Sequence, residues 1–177
     1  MWDNNAMNPL KISRQTKSDA DEMLASKNLL SILAKYGVTR VGGSYFMDLM
    51  FDPDIDIDVA TDTPRESATQ FLNEVIEAKL FQKYQYGDME NYPRDNRPKD
   101  HIIVLILPFN GQKWEIEIWF TRALNPEQAT YEQKLKDLPR DKKDEIVAKK
   151  AKRSDDGINK HQLSSMDIYR QYVEVIT

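Results

Sequence analysis

Two β-rich runs, HIIVLILPF and QKWEIEIWF, meet at Asn110-Gly111. Asn-Gly suits the two-residue turn whose twist matches paired strands, because both central positions need positive φ. Such a turn sets the whole register. Phe109 faces Gln112, Ile106 faces Glu115 and Val104 faces Glu117. Side chains alternate across a strand, so Glu115, Glu117 and Trp119 share one face, and Trp114, Ile116, Ile118 and Phe120 share the other. The first run is apolar on both faces, which places it inside a sheet rather than at its edge.

A second alternating run, DIDIDVA, spans residues 54–60. As a strand it puts Asp54, Asp56 and Asp58 on one face and Ile55, Ile57 and Val59 toward a core. Carboxylates this close repel one another and raise each other's pKa. The arrangement is stable if water solvates the whole face or if cations sit on it. Two oxygen-seeking cations ~3.5–4 Å apart would neutralise such a cluster. The run lies just after Gly42-Gly43-Ser44, a step between the short strand VTRV and an expected two-turn helix, YFMDLMF. Glycines let a backbone approach a phosphate, and helix-start amides attract anions.

The remaining elements follow from local signals. A helix is expected from about Ser18 to Tyr36, with Ser18 as N-cap, acids in its first turn and Gly37 at its end. Thr63-Pro64-Arg65-Glu66 has capping-box spacing and a proline at the first helical position, opening a helix to about Leu80. FQKYQYG reads as a strand and 88–100 as a polar loop. Beyond Asn125-Pro126 the chain reads helical to about Arg153, broken near Pro139, and a last helix starts at Ser164 or Ser165. The expected fold class is α/β (α+β), a mixed sheet with flanking helices. A core over 1–124 carries a helical C-terminal extension, 125–177, packed on the same domain.

The chain has 177 residues, enough for one domain, and no cysteine, which excludes disulfides and thiolate zinc. Two histidines cannot build a histidine-rich metal site. A net charge of -4 argues against sequence-indifferent nucleic-acid binding. The longest apolar run, IIVLIL, is too short to cross a bilayer, and the N-terminal stretch has no signal pattern, so the chain reads as cytoplasmic with no membrane contact. No Walker-type loop, dinucleotide fingerprint or serine-hydrolase elbow is present.

Gly43-Ser44, Asp54-Ile55-Asp56 and a glutamate of WEIEIW together resemble the polymerase-beta-like nucleotidyltransferase superfamily, over residues 20–120. The GGSYFMDLM spacing looks most like its small stand-alone and antibiotic-modifying members. The resemblance implies transfer of a nucleoside monophosphate from an NTP to an acceptor hydroxyl, with release of pyrophosphate. It implies two Mg²⁺ ions, or Mn²⁺ in their place, on Asp54, Asp56 and Glu117, and phosphate held by Gly43 and Ser44. Asp58 and Glu115 are the alternatives within each acidic run. Two departures stand out: no Arg and Gly follow the Gly-Ser, and the third acid is Glu where the family more often has Asp. The acceptor is a small molecule, a protein or an RNA, and a second copy of the chain could close its pocket. The competing reading is a non-catalytic nucleotide- or metal-binding module of toxin–antitoxin type on the same fold.

Other residues carry weaker signals. Asp48 could face the acceptor, and Arg94, Arg97, Lys99 and His101 cluster on or beside the polar loop. KKDEIVAKKAKR reads as a charged helix face, with a triphosphate tail or an RNA as the alternative partner. Lys160 and His161 lie near the last helix start, and Ile168, Tyr169 and Tyr172 are expected to pack on the sheet rather than stack a base.

Overall fold

The computed structural model describes residues 8–93, 99–160 and 162–173. Arg94, Arg97 and His161 lie outside the described residues. Five strands form one mixed sheet in the order β1-β2-β5-β4-β3. They are β1 (Val38–Val41), β2 (Asp54–Ala60), β3 (Lys83–Asp88), β4 (His101–Phe109) and β5 (Gln112–Thr121). The hairpin register is the one set by the Asn-Gly turn, including Ile106 with Glu115 and Val104 with Glu117. Asn110 and Gly111 both take the positive φ that the turn demands. β4 lies inside the sheet, between β5 and β3, as its two apolar faces require.

β2 joins β5 in parallel, a pairing no local signal announces, with Asp54 beside Glu115, Asp56 beside Glu117 and Asp58 beside Trp119. One side of these strands is sealed: Ile55, Ile57, Val59, Trp114, Ile116, Ile118 and Phe120 belong to the main core. The helices α1 (Pro9–Ser26), α2 (Leu29–Leu33) and α4 (Pro64–Glu77) close that side. Phe71 of α4 packs on Phe120 with ring centroids 5.7 Å apart.

Several helix boundaries differ from expectation. The first helix begins at Pro9, where Asn8 caps it by accepting the Leu10 N–H at 3.0 Å, so Ser18 is interior and not a cap. The helix is broken at Asn28, whose φ of 50° is left-handed. Asp19 is buried rather than facing a helix dipole. It accepts hydrogen bonds from Gln15 and from Asn110, tying α1 to the hairpin turn. The helix after the glycine pair, α3 (Gly43–Phe46), is a single turn, because Asp48 reverses the chain at φ 59°. At α4 the capping box does not form. Thr63 makes no side-chain cap, and its hydroxyl meets Ser67 instead. That helix stops before Lys79, another positive-φ residue.

The later chain forms α5 (Pro126–Lys136), α6 (Arg140–Asp155) and α7 (Ser165–Tyr169). Ser164 caps α7 in a full capping box with Asp167. Ile168 and Tyr169 do pack, but against Met47, Leu49, Tyr131, Leu135 and Ile146 rather than on the sheet. This second apolar cluster anchors α5–α7 beside the acidic strand. Among the described residues, no helix is long and apolar enough to cross a membrane.

Candidate functional site

The acids of β2 and β5 project from the face opposite the main core. Asp54, Asp56, Asp58 and Glu117 line one cleft of about 490 Å³, together with Gly43 and Ser44. Tyr131, Glu132, Lys150 and Tyr169 form its other wall. The two acidic runs, separated by more than fifty positions in the chain, therefore meet across a parallel strand pair. Glu115 projects from the same face but not into this cleft.

Each aspartate has a different environment. Asp58 pairs with Arg40, whose Nη1 lies 3.3 Å from Oδ2, across the antiparallel β1–β2 pair. Asp54 pairs with Lys160, which also approaches Asp52 at 3.6 Å. Asp56 is pushed from 3.8 to about 7, first by burial and then by Asp54, Glu117, Glu132 and Asp58. The charged groups that raise it are all acids. Gly43 explains how it is packed: φ is +60°, and a Cβ there would meet Asp56 Oδ2 at 2.0 Å. Only glycine allows the backbone turn to lie against that carboxylate.

Ser44 is buried, and its Oγ has no hydrogen-bond partner among the described residues; the same holds for the Tyr131 hydroxyl. A buried hydroxyl without a partner is costly, and an incoming oxygen would relieve it. The Gly43 amide is already engaged, donating to Glu132 Oε1 at 3.1 Å. Glu132 is itself buried and also accepts from Arg40 and from Gln128. One carboxylate of α5 therefore ties β1, the glycine turn and, through Arg40, β2 into a single network.

The donor set suits a hard divalent cation: clustered carboxylates with excess negative charge, beside an unpartnered hydroxyl. Among the described residues, no group of three or more acidic or histidine side chains is placed so that it could hold a metal ion. Lys160 stands on Asp54.

Sequence reasoning did not single out Glu132 or Arg40, and it read Lys150 and Arg153 only as part of the charged run KKDEIVAKKAKR. Lys150 is buried and donates to the Leu49 carbonyl at 3.0 Å. Burial holds its pKa below the usual value, against the pull of Asp54 and Asp52. Arg153 is buried as well, with Nη2 2.8 Å from Asp52. A signal was available: Lys143, Ile146, Val147, Lys150 and Ala151 all lie on the buried stripe of α6. A lysine in line with an apolar stripe is not a solvated charge, so the expected charged helix face is only the outer half of α6.

Other expected residues fall elsewhere. Asp48 is half-exposed and faces Lys143 at 3.7 Å, outside the cleft. Lys99 and His101 line a different hollow of about 300 Å³ at the start of α4. His101 is buried there, with Nδ1 2.8 Å from the Tyr86 hydroxyl.

No protein-family model and no curated protein matches the sequence. The fold is similar to a solved structure, the polymerase core of TRAMP, an RNA surveillance complex, with a TM-score of 0.60 at 19% identity. The likeness covers 85% of this chain and 46% of that one, so the chain spans about half the length of its structural relative. The mixed five-stranded sheet with flanking helices is the fold this chain shares with that polymerase core.

Proposed function

We propose that this protein is a metal-dependent nucleotidyltransferase. It moves a nucleoside monophosphate from an NTP to an acceptor hydroxyl and releases pyrophosphate. One observation carries the reading: Asp54, Asp56 and Glu117, from two strands, share a cleft with Gly43 and the unpartnered Ser44 hydroxyl.

In this reading Asp54, Asp56 and Glu117 hold divalent ions, Mg²⁺ or Mn²⁺, which would supply charge neutralisation for the triphosphate and lower the pKa of the acceptor hydroxyl. Ser44 donates its hydroxyl proton to a phosphate oxygen. Lys150, and Lys160 once it leaves Asp54, offer ammonium groups to the triphosphate from α6 and the segment after it. The acceptor oxygen bonds to the α-phosphorus as the α–β anhydride bond breaks. The electron pair leaves with pyrophosphate, and the hydroxyl proton passes to Glu117. The protein contributes position and a fixed electrostatic field rather than covalent chemistry. The boundary near residue 124 is part of this reading, since α5–α7 wall the cleft that the sheet opens.

A non-catalytic binding module on the same fold is favoured by two observations. The Gly43 amide is taken by Glu132, and the Asp54 carboxylate is taken by Lys160. Pyrophosphate release decides between the two. The enzyme consumes NTP with Mg²⁺ and an acceptor alcohol, and Asp56→Asn stops it without unfolding the chain. Stabilisation by NTP and Mg²⁺ in a thermal melt, with no pyrophosphate from any acceptor class, would leave only the binding module.

A further inference from the structure

Two cations from the C-terminal helices meet the acids at the entry to β2, and they are held differently. Asp52 and Asp54 are joined by a tight turn, in which the Asp54 N–H donates to the Asp52 carbonyl at 2.9 Å. Arg153 is buried, with Nη2 2.8 Å from Asp52. Its Nη1 donates to the Leu163 carbonyl at 3.2 Å and to the Ser165 hydroxyl at 3.3 Å. Lys160 is half-exposed, on the connection between α6 and α7. Its ammonium donates to Asp54 and stands 3.6 Å from Asp52. The backbone leading to it is set by the end of α6: Gly157 takes a φ of 68°, and the Ile158 N–H returns to the Arg153 carbonyl at 3.0 Å. Lys160 can therefore leave Asp54 by turning about its own side-chain bonds. Arg153 cannot leave Asp52 without breaking its bonds to the start of α7. The strand acids differ in the same way. Asp58 is paired with Arg40, which Glu132 holds from its other side, whereas the counter-charge on Asp54 is one that solvent reaches.

We infer that Lys160 gates the ion site: its ammonium stands on Asp54 until a divalent ion arrives together with a triphosphate, so that free ion is disfavoured and the ion–nucleotide complex is admitted. This rests on the reading of Asp54 as an ion ligand and adds what controls its occupancy. An ammonium and a divalent ion on one carboxylate repel each other, and a partly desolvated cleft screens that repulsion poorly. Free ion must therefore break the Lys160–Asp54 pair and leave the ammonium with water. Ion arriving with a triphosphate breaks the same pair, but it brings phosphate oxygens that accept a charge-assisted hydrogen bond from the displaced ammonium. The two cases differ in free energy by that compensation, and a ligand shifts an equilibrium by no more than such a difference. A half-exposed ion pair is weak, so the gate is a several-fold bias and not a block. With Asp54 engaged by an ammonium, the described acids are placed for no ion as they stand, which is what a closed gate requires.

The test uses the whole chain and Lys160→Met, which keeps the apolar stem and removes the charge. Binding of Mn²⁺ alone is read from the electron paramagnetic resonance of the free ion. Binding of a non-hydrolysable NTP saturated with Mn²⁺ is read by calorimetry. Lys160→Met should bind Mn²⁺ alone several-fold more tightly than the wild type, and should bind the Mn²⁺–NTP complex no more tightly or more weakly. A merely structural role for Lys160 would move both affinities in the same direction. A second measurement needs no variant: at saturating Mg²⁺ without nucleotide, the Cε resonance of Lys160 in the wild type should move toward that of a free lysine. Unchanged or weaker Mn²⁺ binding by Lys160→Met, a gain of equal size for Mn²⁺ and for Mn²⁺–NTP, or an unmoved Lys160 resonance with Mg²⁺ bound overturns the inference and leaves the ion site standing. Failure of both chains to bind Mn²⁺, with or without NTP, overturns the gate and the ion site together.

Discussion

The two faces of the β2–β5 pair are made by the same residues' neighbours, yet they behave as opposites. On one face Ile55, Ile57, Ile116 and Ile118 are at most 1% exposed and pack against one another. On the other, Asp54, Asp56 and Asp58 are half-buried beside Glu117, with cations drawn from distant elements. The first face lowers the free energy of the fold. The second raises it, because like charges are held together in a poorly solvated cleft. Repulsion kept in one place, next to a buried serine hydroxyl with no partner among the described residues, is what a charged ligand would relieve.

That contrast can be broken from either side. Asp56→Asn should cut pyrophosphate release by more than about a hundredfold, since it removes a central carboxylate of the proposed ion site. Its melting temperature should hold or rise near pH 8. A variant that unfolds instead would make Asp56 a structural partner.

On the sealed face the effect is reversed. Ile57→Ala should cost about 3 kcal/mol in denaturant unfolding, the usual loss for a fully buried aliphatic side chain, by emptying space in the core. Folded Ile57→Ala protein should keep its NTP-dependent stabilisation, because the side chain points away from the cleft.

Glu132→Ala tests the strap between them. It strips Arg40 and the Gly43 amide of their buried acceptor, and should cost about 2 kcal/mol. Glu132→Gln should recover part of that, because an amide oxygen still accepts the Gly43 N–H. Equal stability of Glu132→Ala and wild type would show that the glycine turn holds itself.

The smallest effect is pH dependence. The Asp56 pKa is raised in the folded chain, from 3.8 to about 7, so folding favours the protonated form. Its stabilising contribution is complete below the unfolded value and is lost as pH rises through the folded one. Without metal, the protein should be less stable near pH 8 than near pH 5, by about 1–2 kcal/mol once the opposing pairs are allowed for. Asp56→Asn should flatten that slope, and millimolar Mg²⁺ should reduce it. A slope unchanged in Asp56→Asn would assign the proton to another group.

The sequence was most legible where neighbours in the chain are neighbours in space. The Asn-Gly turn fixed Val104 opposite Glu117 because a two-residue hairpin leaves no freedom of register. The DIDIDVA alternation put three acids on one face because strand geometry permits nothing else. Legibility failed where polar residues are buried. Ser13 and Thr16 take the buried positions at the start of α1, so its first two turns were missed. Lys150 and Arg153 looked like surface charge, because composition does not reveal that a lysine's partner is the carbonyl of Leu49, about a hundred positions earlier.

From residue order alone came the strands, the hairpin register and a set of acids that must share a face. Those are consequences of backbone geometry and steric rules, which act over a few residues. Tertiary structure decided that β2 lies parallel to β5, that Asp58 pairs with Arg40 while Asp56 is surrounded by acids, and that α6 turns a lysine inward. These outcomes depend on burial and on charges brought together across the fold, and neither quantity exists until the chain has closed on itself.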